Sequence, residues 1–132
     1  PSDNVEMLRA LARDPLVIKE TRVDAIFGLT NLMEAAFLAG VPASPPVLLL
    51  YGEHDEIIPA NSLCALLDNG AGPGNGGWQM ALYPDGYHML TRDLQAATVL
   101  EDVVAWITGR DRVLPSGLEV QQATARLQGF CN

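Results

Sequence analysis

Two short apolar runs along the chain each stop at a cluster of polar or turn-forming residues. The first run begins at Pro46 and stops at Gly52, and the ionisable residues 53–56 follow it. The second run, Trp78–Tyr83, is followed by a turn over residues 84–88. A continuous apolar run bounded by Pro or Gly is typical of a strand that is covered on both faces, as in a parallel sheet. The pattern therefore predicts two buried parallel strands with polar groups at their carboxyl ends.

Apolar residues spaced three and four apart predict helices around these strands. The predicted helices cover residues 3–13, 22–39, 60–69, 90–109 and 118–127. Asp3 or Asn4 is available to cap the first helix, and Asn61 or Ser62 to cap the third. The apolar face predicted for the fourth helix consists of Leu94, Ala97, Leu100, Val103, Val104 and Ile107, with Trp106 beside it. A glycine-rich loop over residues 71–77 precedes a strand and does not open a helix, so it is not expected to bind phosphate.

The order strand, helix, strand, helix predicts an α/β fold with a parallel sheet. Because ligands gather beyond the carboxyl ends of parallel strands, Asp55 and His88 are expected to meet at one edge of the sheet. Two strands alone leave both outer edges of the sheet uncovered. The chain is therefore expected to be part of a larger sheet.

The composition indicates one globular domain. The chain has 132 residues, 48% of them hydrophobic, and a net charge of −8. This acidity disfavours nucleic acid or an anionic membrane surface as a partner. No apolar run approaches the ~20 residues of a membrane span, and the N-terminus lacks signal-peptide character, so a cytoplasmic location without a transmembrane segment is expected. No cofactor is expected.

The two cysteines, Cys64 and Cys131, are too few and too poorly placed for a disulfide framework or a cysteine-rich metal site. Cys64 is expected to be a small buried residue of the third helix.

Three segments resemble the C-terminal part of an α/β-hydrolase of the lysophospholipase and monoacylglycerol lipase family: PVLLLYGEHDEIIP, LYPDGYHML and the helix ending in DVVAWI. The upstream sequence ALARDPLVIKETR resembles the segment that leaves the cap of that family. The resemblance implies the end of a cap and re-entry to the core over residues 1–40. It further implies a βαβα core over 41–110. The tail over 111–132 lies beyond the resemblance, and its own pattern allows a short helix.

By this resemblance, Asp55 corresponds to the acid and His88 to the base of a Ser-His-Asp triad. The implied reaction is hydrolysis of carboxylic esters of lipids, such as lysophospholipids or monoacylglycerols. No Gly-x-Ser-x-Gly motif occurs in the sequence. The chain has four serines, and none is expected in a sharp turn flanked by glycines: Ser2, Ser44, Ser62 and Ser116. The nucleophile and oxyanion hole are expected in a preceding segment, so this chain alone is predicted to be inactive.

Other interpretations of the motif residues stay open. Asp55 could cap the helix that begins near Ala60, and His88 could be a turn histidine bonded to the backbone. His54, Asp55 and His88 could form a metal set, although two histidines and one carboxylate make a weak signature.

Further expectations concern the neighbours of the two motifs. Glu53 and Glu56 are expected to be solvated, and Asp85 and Tyr87 to shape the turn before His88. The apolar stripe of the second helix could equally line an acyl pocket or pack on the core: Ile26, Leu29, Leu32, Met33 and Phe37. The alternative function is a non-catalytic hydrolase module that acts by partner binding or by self-association across its exposed strand edges.

Overall fold

A computed structural model describes residues 1–39, 45–69, 78–109, 113–120 and 125–131. The predictions for Ser44 and for the glycine-rich loop at 71–77 lie outside the described residues.

Strands β1, Val47–Gly52, and β2, Trp78–Tyr83, pair in parallel from Val47 opposite Trp78 to Gly52 opposite Tyr83. The prediction of two parallel strands is confirmed. A third strand, β3 at Glu119–Val120, pairs antiparallel with β2, so the described sheet is mixed, with the order β1-β2-β3. A strand of two residues is too short to show a periodic pattern, which is why the sequence did not predict it.

The chain begins with two helices that bury no residue. Helix α1, Val5–Arg13, is capped by Asn4, whose side chain accepts from the Met7 N–H at 3.0 Å. Helix α2, Val23–Ala39, exposes its whole apolar stripe, by 38–66% per residue: Ile26, Leu29, Leu32, Met33 and Phe37. The stripe thus does not pack on the core that the described residues form. No described helix has the length and apolar character needed to cross a membrane.

Helix α3, Ala60–Asp68, follows β1 and buries Leu63 and Leu67. Its N-cap is Pro59, which makes no side-chain cap bond, so the predicted caps Asn61 and Ser62 are wrong. The helix begins early enough to place both of these side chains inside it.

The region predicted as one helix over residues 90–109 is divided. A 3₁₀ turn, Leu90–Arg92, is followed by Asp93 in an extended conformation and then by helix α4, Ala96–Thr108. The predicted apolar face is also wrong, because α4 buries Val99 and Asp102. Four residues of the predicted face are at least 48% exposed: Leu94, Leu100, Val104 and Ile107.

Strand β2 is the centre of the core because both of its faces are covered. On one face Met80 and Leu82 belong to a buried cluster that includes residues from α3 and β3. On the other face Ala81 and Tyr83 pack with Val99 of α4. This alternation follows the two-residue period of a strand and explains why the run is apolar at nearly every position.

The tail contains helix α5, Ala125–Cys131. The predicted helix over residues 118–127 is wrong at 118–120, where the chain leads into and forms β3, and its residues 121–124 lie outside the described part of the chain. A disulfide joins Cys64 of α3 to Cys131 of α5, with Cα atoms 5.7 Å apart across a sequence separation of 67. This corrects the expectation that the two cysteines are too poorly placed to pair. Cys64 does lie in the third helix as expected, but it is half-buried and not buried. Cysteine count does not reveal pairing, which here depends on Leu127 packing into the same buried cluster as Leu63 of α3.

Candidate active site

The loops that leave β1 and β2 are bonded to each other through their backbones. The Glu53 N–H donates to the Tyr83 carbonyl at 3.0 Å, and the His54 N–H donates to the Gly86 carbonyl at 2.9 Å. These bonds extend the parallel pairing beyond the strands. They fix the relative position of the two segments that carry Asp55 and His88.

Two glycines allow this approach. A Cβ on Gly52 would overlap the carbonyl group of Gly86, and a Cβ on Gly86 would lie 2.9 Å from the Gly52 Cα and 2.8 Å from the Tyr83 Cβ. Both distances are shorter than a Cβ atom tolerates, so only glycine fits at either position without a shift of the backbone. The site therefore depends on two residues without side chains.

The Asp55 side chain, only 7% exposed, accepts hydrogen bonds with both oxygens. Oδ1 accepts from the backbone N–H groups of Ile57 at 2.8 Å and Ile58 at 2.9 Å, and Oδ2 lies 2.9 Å from His88 Nδ1. The two amides precede α3, so Asp55 does not cap that helix. It closes its own loop and faces the imidazole.

These contacts lower the pKa of Asp55. Burial pushes the pKa upward, but the hydrogen bonds from Ile58, from His88 and from Ile57 outweigh that effect and hold it below its ordinary value of 3.8. The carboxylate is therefore ionised at neutral pH.

His88 is the other half of the pair, and its side chain is 39% exposed. An ionised carboxylate only accepts, so the proton between the two groups belongs to Nδ1 and Nε2 is left as the basic nitrogen. Among the described residues Nε2 has no hydrogen-bond partner. The structure thus brings together the two residues predicted to act as acid and base, although their catalytic roles remain predictions.

His54 does not join this pair. Its ring packs edge-on against Tyr87, with the ring centroids 5.2 Å apart. Among the described residues, no group of three or more His, Cys, Asp or Glu side chains is placed to hold a metal ion.

Glu53 is not a solvated loop residue as expected. Its Oε1 pairs with Arg126 of α5 at 2.8 Å, and the same guanidinium group donates to the Leu82 carbonyl at 2.9 Å. Glu56 and Asp85 are exposed. Arg126 was missed because nothing in the sequence pattern of the tail connects it to the loop after β1.

The described serines do not supply a partner for His88. The Ser2 hydroxyl donates to Asp93 at 2.6 Å, the Ser116 hydroxyl accepts from the Leu118 N–H, and Ser62 lies within α3.

A second buried carboxylate lies behind the end of β2. Asp102 is completely buried; its Oδ2 accepts from the Tyr83 hydroxyl at 2.6 Å and its Oδ1 from the Ser116 N–H at 2.9 Å. Burial, and then the Asp102 charge, raise the pKa of Tyr83 well above its usual range, so the hydroxyl stays protonated. The pair holds α4 and the start of the tail against the strand that leads to His88. Sequence reasoning missed Asp102, because it directly follows the acidic Glu101 and nothing local distinguishes the buried carboxylate from the exposed one.

An open apolar groove of about 420 Å³ lies beside α4, lined by Leu100, Val104 and Pro115 among others. None of its lining residues belongs to the Asp55–His88 pair.

A comparison with known protein families shows which family the chain resembles. The family model described as "Serine aminopeptidase, S33", a hydrolase family, matches residues 1–95. The matched part is more than half of the chain and includes β1, β2, Asp55 and His88.

Proposed function

The chain belongs to the serine aminopeptidase S33 family of α/β hydrolases, and from that premise we propose that it supplies the acid, Asp55, and the base, His88, of a serine hydrolase triad. The observation that carries this proposal is the 2.9 Å contact between His88 Nδ1 and Asp55 Oδ2. The contact lies beyond the carboxyl ends of two adjacent parallel strands, where α/β proteins place their reacting groups.

In the proposed reaction, His88 Nε2 accepts the proton of a serine hydroxyl as the serine oxygen attacks a carbonyl carbon. Asp55 keeps the imidazole in the Nδ1-protonated form and stabilises the imidazolium. His88 then donates the proton to the leaving group. In the second half of the reaction His88 deprotonates a water molecule that attacks the acyl-serine, and it returns this proton to the serine oxygen as the acyl–oxygen bond breaks and the carboxylic acid leaves. The serine and the oxyanion hole belong to a preceding segment of a longer parent protein, so the chain alone is inactive.

The proposed substrates are carboxylic esters of lipids, of the lysophospholipid or monoacylglycerol type. The resemblance of the two core motifs supports this class, and so does the exposed apolar stripe of α2, which is suited to contact an acyl chain. Residues 1–40 are then the end of a cap domain, and residues 41–110 the catalytic core segment.

A second candidate is an aminopeptidase, because the matched family carries that description. The same acid and base would serve it, with an amine as the leaving group. Assays of the parent protein with a long-chain acyl ester and with an aminoacyl anilide distinguish the two.

The test of the proposal is substitution of the pair in the parent protein. We expect His88→Ala to lower kcat by about a millionfold, and Asp55→Asn by about ten-thousandfold, because Asn disturbs the tautomer and does not stabilise the imidazolium. His54→Gln, at the only other histidine, is the matched control and should change kcat less than about tenfold. Full activity of His88→Ala would contradict the proposal. A parent protein that hydrolyses neither substrate would instead favour the non-catalytic module, for which the exposed stripe of α2 and, among the described strands, the outer edge of β1 are the candidate contact surfaces.

The disulfide bears on where the protein acts. Structural disulfides persist in oxidising compartments and are rare in the cytoplasm. We therefore propose an oxidising compartment for the chain, in place of the cytoplasmic location expected from its sequence.

A further inference from the structure

The loop that carries His88, residues 84–89, contains no helix or strand. Its first half is held by the Gly86 carbonyl, which accepts from the His54 N–H. Its second half pairs with none of the strands that the structure describes. Since a triad base must keep one orientation, the contacts that fix this second half determine where the imidazole lies.

Asp93 supplies contacts on both sides of His88. Its Oδ2 accepts from the Tyr87 N–H at 2.8 Å, and its own backbone N–H donates to the Met89 carbonyl at 3.1 Å. One residue thus binds the chain immediately before and immediately after the histidine.

The Asp93 carboxylate is buried, and its burial costs free energy of folding. The residue is only 3% exposed, and a buried charge destabilises a fold unless hydrogen bonds satisfy it. The second satisfying bond comes from the hydroxyl of Ser2, itself 9% exposed, which donates to Oδ1 at 2.6 Å.

The N-terminal segment, residues 1–4, holds the same region at three further points. The Pro1 carbonyl accepts from the Met89 N–H at 3.0 Å, and Asp3 Oδ1 accepts from the Leu94 N–H at 2.8 Å. The Asn4 side chain donates to the Arg92 carbonyl at 3.0 Å. Segment 1–4 leads directly into α1, so the helices at the start of the chain are connected to the His88 loop through Asp93 and its neighbours.

We propose that Asp93 is a positioning residue that keeps the His88 imidazole in contact with Asp55. Ser2 in turn keeps the Asp93 carboxylate in place. The proposal rests on His88 being the catalytic base. Asp93 acts through the Tyr87 amide and does not itself touch the substrate.

The test uses nuclear magnetic resonance of the chain labelled with ¹⁵N, in which the two histidines give two pairs of ring-nitrogen signals, one for each Nδ1 and Nε2. The first readout is the fraction of neutral His88 that is protonated at Nδ1. The second is the hydrogen-exchange rate of the Tyr87 amide. Neither requires a substrate or the missing nucleophile.

Asp93→Ala should lower the Nδ1-protonated fraction of His88 toward that of an unconstrained histidine. It should also raise the Tyr87 exchange rate about tenfold or more, because that amide loses a bond to a charged acceptor. Asp93→Asn should stay near the wild type, since the amide oxygen can accept from Tyr87 while the amide nitrogen donates to the Ser2 hydroxyl. Ser2→Ala should shift both readouts in the direction of Asp93→Ala, but less.

The matched control is Asp85→Asn, which removes an exposed carboxylate from the same loop and should leave both readouts unchanged. The proposal is wrong if Asp93→Ala keeps the wild-type tautomer and Tyr87 exchange, or if Asp85→Asn reproduces its effect. Should Asp93→Ala fail to fold, an unchanged Ser2→Ala would equally overturn the proposal.

In the parent protein, Asp93→Ala should lower kcat about 10- to 100-fold, with KM little changed, as expected for a misplaced base. Full activity of His88→Ala would refute the proposed function, whereas the tautomer and exchange results would still decide whether Asp93 positions His88.

Discussion

At the scale of single residues, the chemistry of the site depends on how one carboxylate divides its hydrogen bonds. Asp55 uses one oxygen to close its own loop through Ile57 and Ile58, and the other to face His88. Closing the loop occupies only one of the two carboxylate oxygens, so the other oxygen is available to the imidazole. Loop closure and the contact with His88 therefore do not compete, because each uses a different oxygen. The alternative that Asp55 caps α3 is wrong, since neither amide belongs to that helix.

The lowered pKa of Asp55 predicts how stability depends on pH. Because its pKa in the folded chain lies below the ordinary 3.8, the ionised form stabilises the fold. That contribution is fully present above pH 3.8 and is lost as the pH falls through the folded pKa. Asp55→Asn should therefore be less stable than the wild type near neutrality, and the difference should shrink below pH 3.8.

Urea unfolding followed by tryptophan fluorescence at pH 7, 5, 4 and 3 measures this difference. Asp85→Asn, an exposed carboxylate in the neighbouring loop, is the control and should follow the wild type more closely. A stability difference for Asp55→Asn that stays constant down to pH 3 would contradict the prediction.

At the scale of elements, the two strand ends approach so closely that no side chain fits between them. Gly52 and Gly86 make this approach possible, and the hydrogen bond from His54 to Gly86 depends on it. The acid and base loops consequently behave as one unit, because a displacement of either glycine moves both.

Gly86→Ala should destabilise the chain by about 1–3 kcal/mol, because the new methyl group overpacks a closed space. Its Cβ would lie 2.6 Å from the Leu90 Cδ2 and 2.8 Å from the Tyr83 Cβ. In the parent protein the same change should lower kcat, since it displaces the His88 loop.

The matched control is Gly28→Ala in α2, where a Cβ meets nothing within 4 Å. Alanine in a helix interior should stabilise that variant by about 0.5–1 kcal/mol. Thermal unfolding of the two variants side by side measures the contrast, and equal melting temperatures would contradict the steric argument.

At the scale of the whole molecule, the tail is joined to the site region by a covalent bond and a charge pair. Cys131 bonds to α3, Leu127 is buried in the core, and Arg126 reaches Glu53, two residues before Asp55. The tail thus supports the acid loop, although it lies outside the range matched by the family model.

Replacing both cysteines by serine should lower the free energy of unfolding by about 2–4 kcal/mol, because the bond closes a loop of 67 residues. Denaturant unfolding of the variant and of the oxidised chain measures the loss, and the wild type with a reductant should behave like the variant. Protein taken from its source under trapping conditions should show Cys64 blocked to alkylation until reduced. A freely alkylated Cys64 would argue against the oxidising compartment.

The sequence by itself determined the parallel strand pair, the extent of α1, α2 and α3, and the two residues that meet beyond the strands. These features depend on local patterns: apolar runs, helical spacing, and polar groups placed directly after a strand. Residues close in sequence decide such patterns, so they can be recognised without coordinates.

Only the tertiary structure decided which distant groups meet. The disulfide, strand β3, the Arg126–Glu53 pair and the buried carboxylates of Asp93 and Asp102 all join residues whose pairing leaves no local pattern. The buried face of α4 was misjudged for a related reason, and the sequence could not decide whether the stripe of α2 packs on the core. Apolar spacing shows that a helix has a face to bury, but the position of its neighbours decides which face is covered.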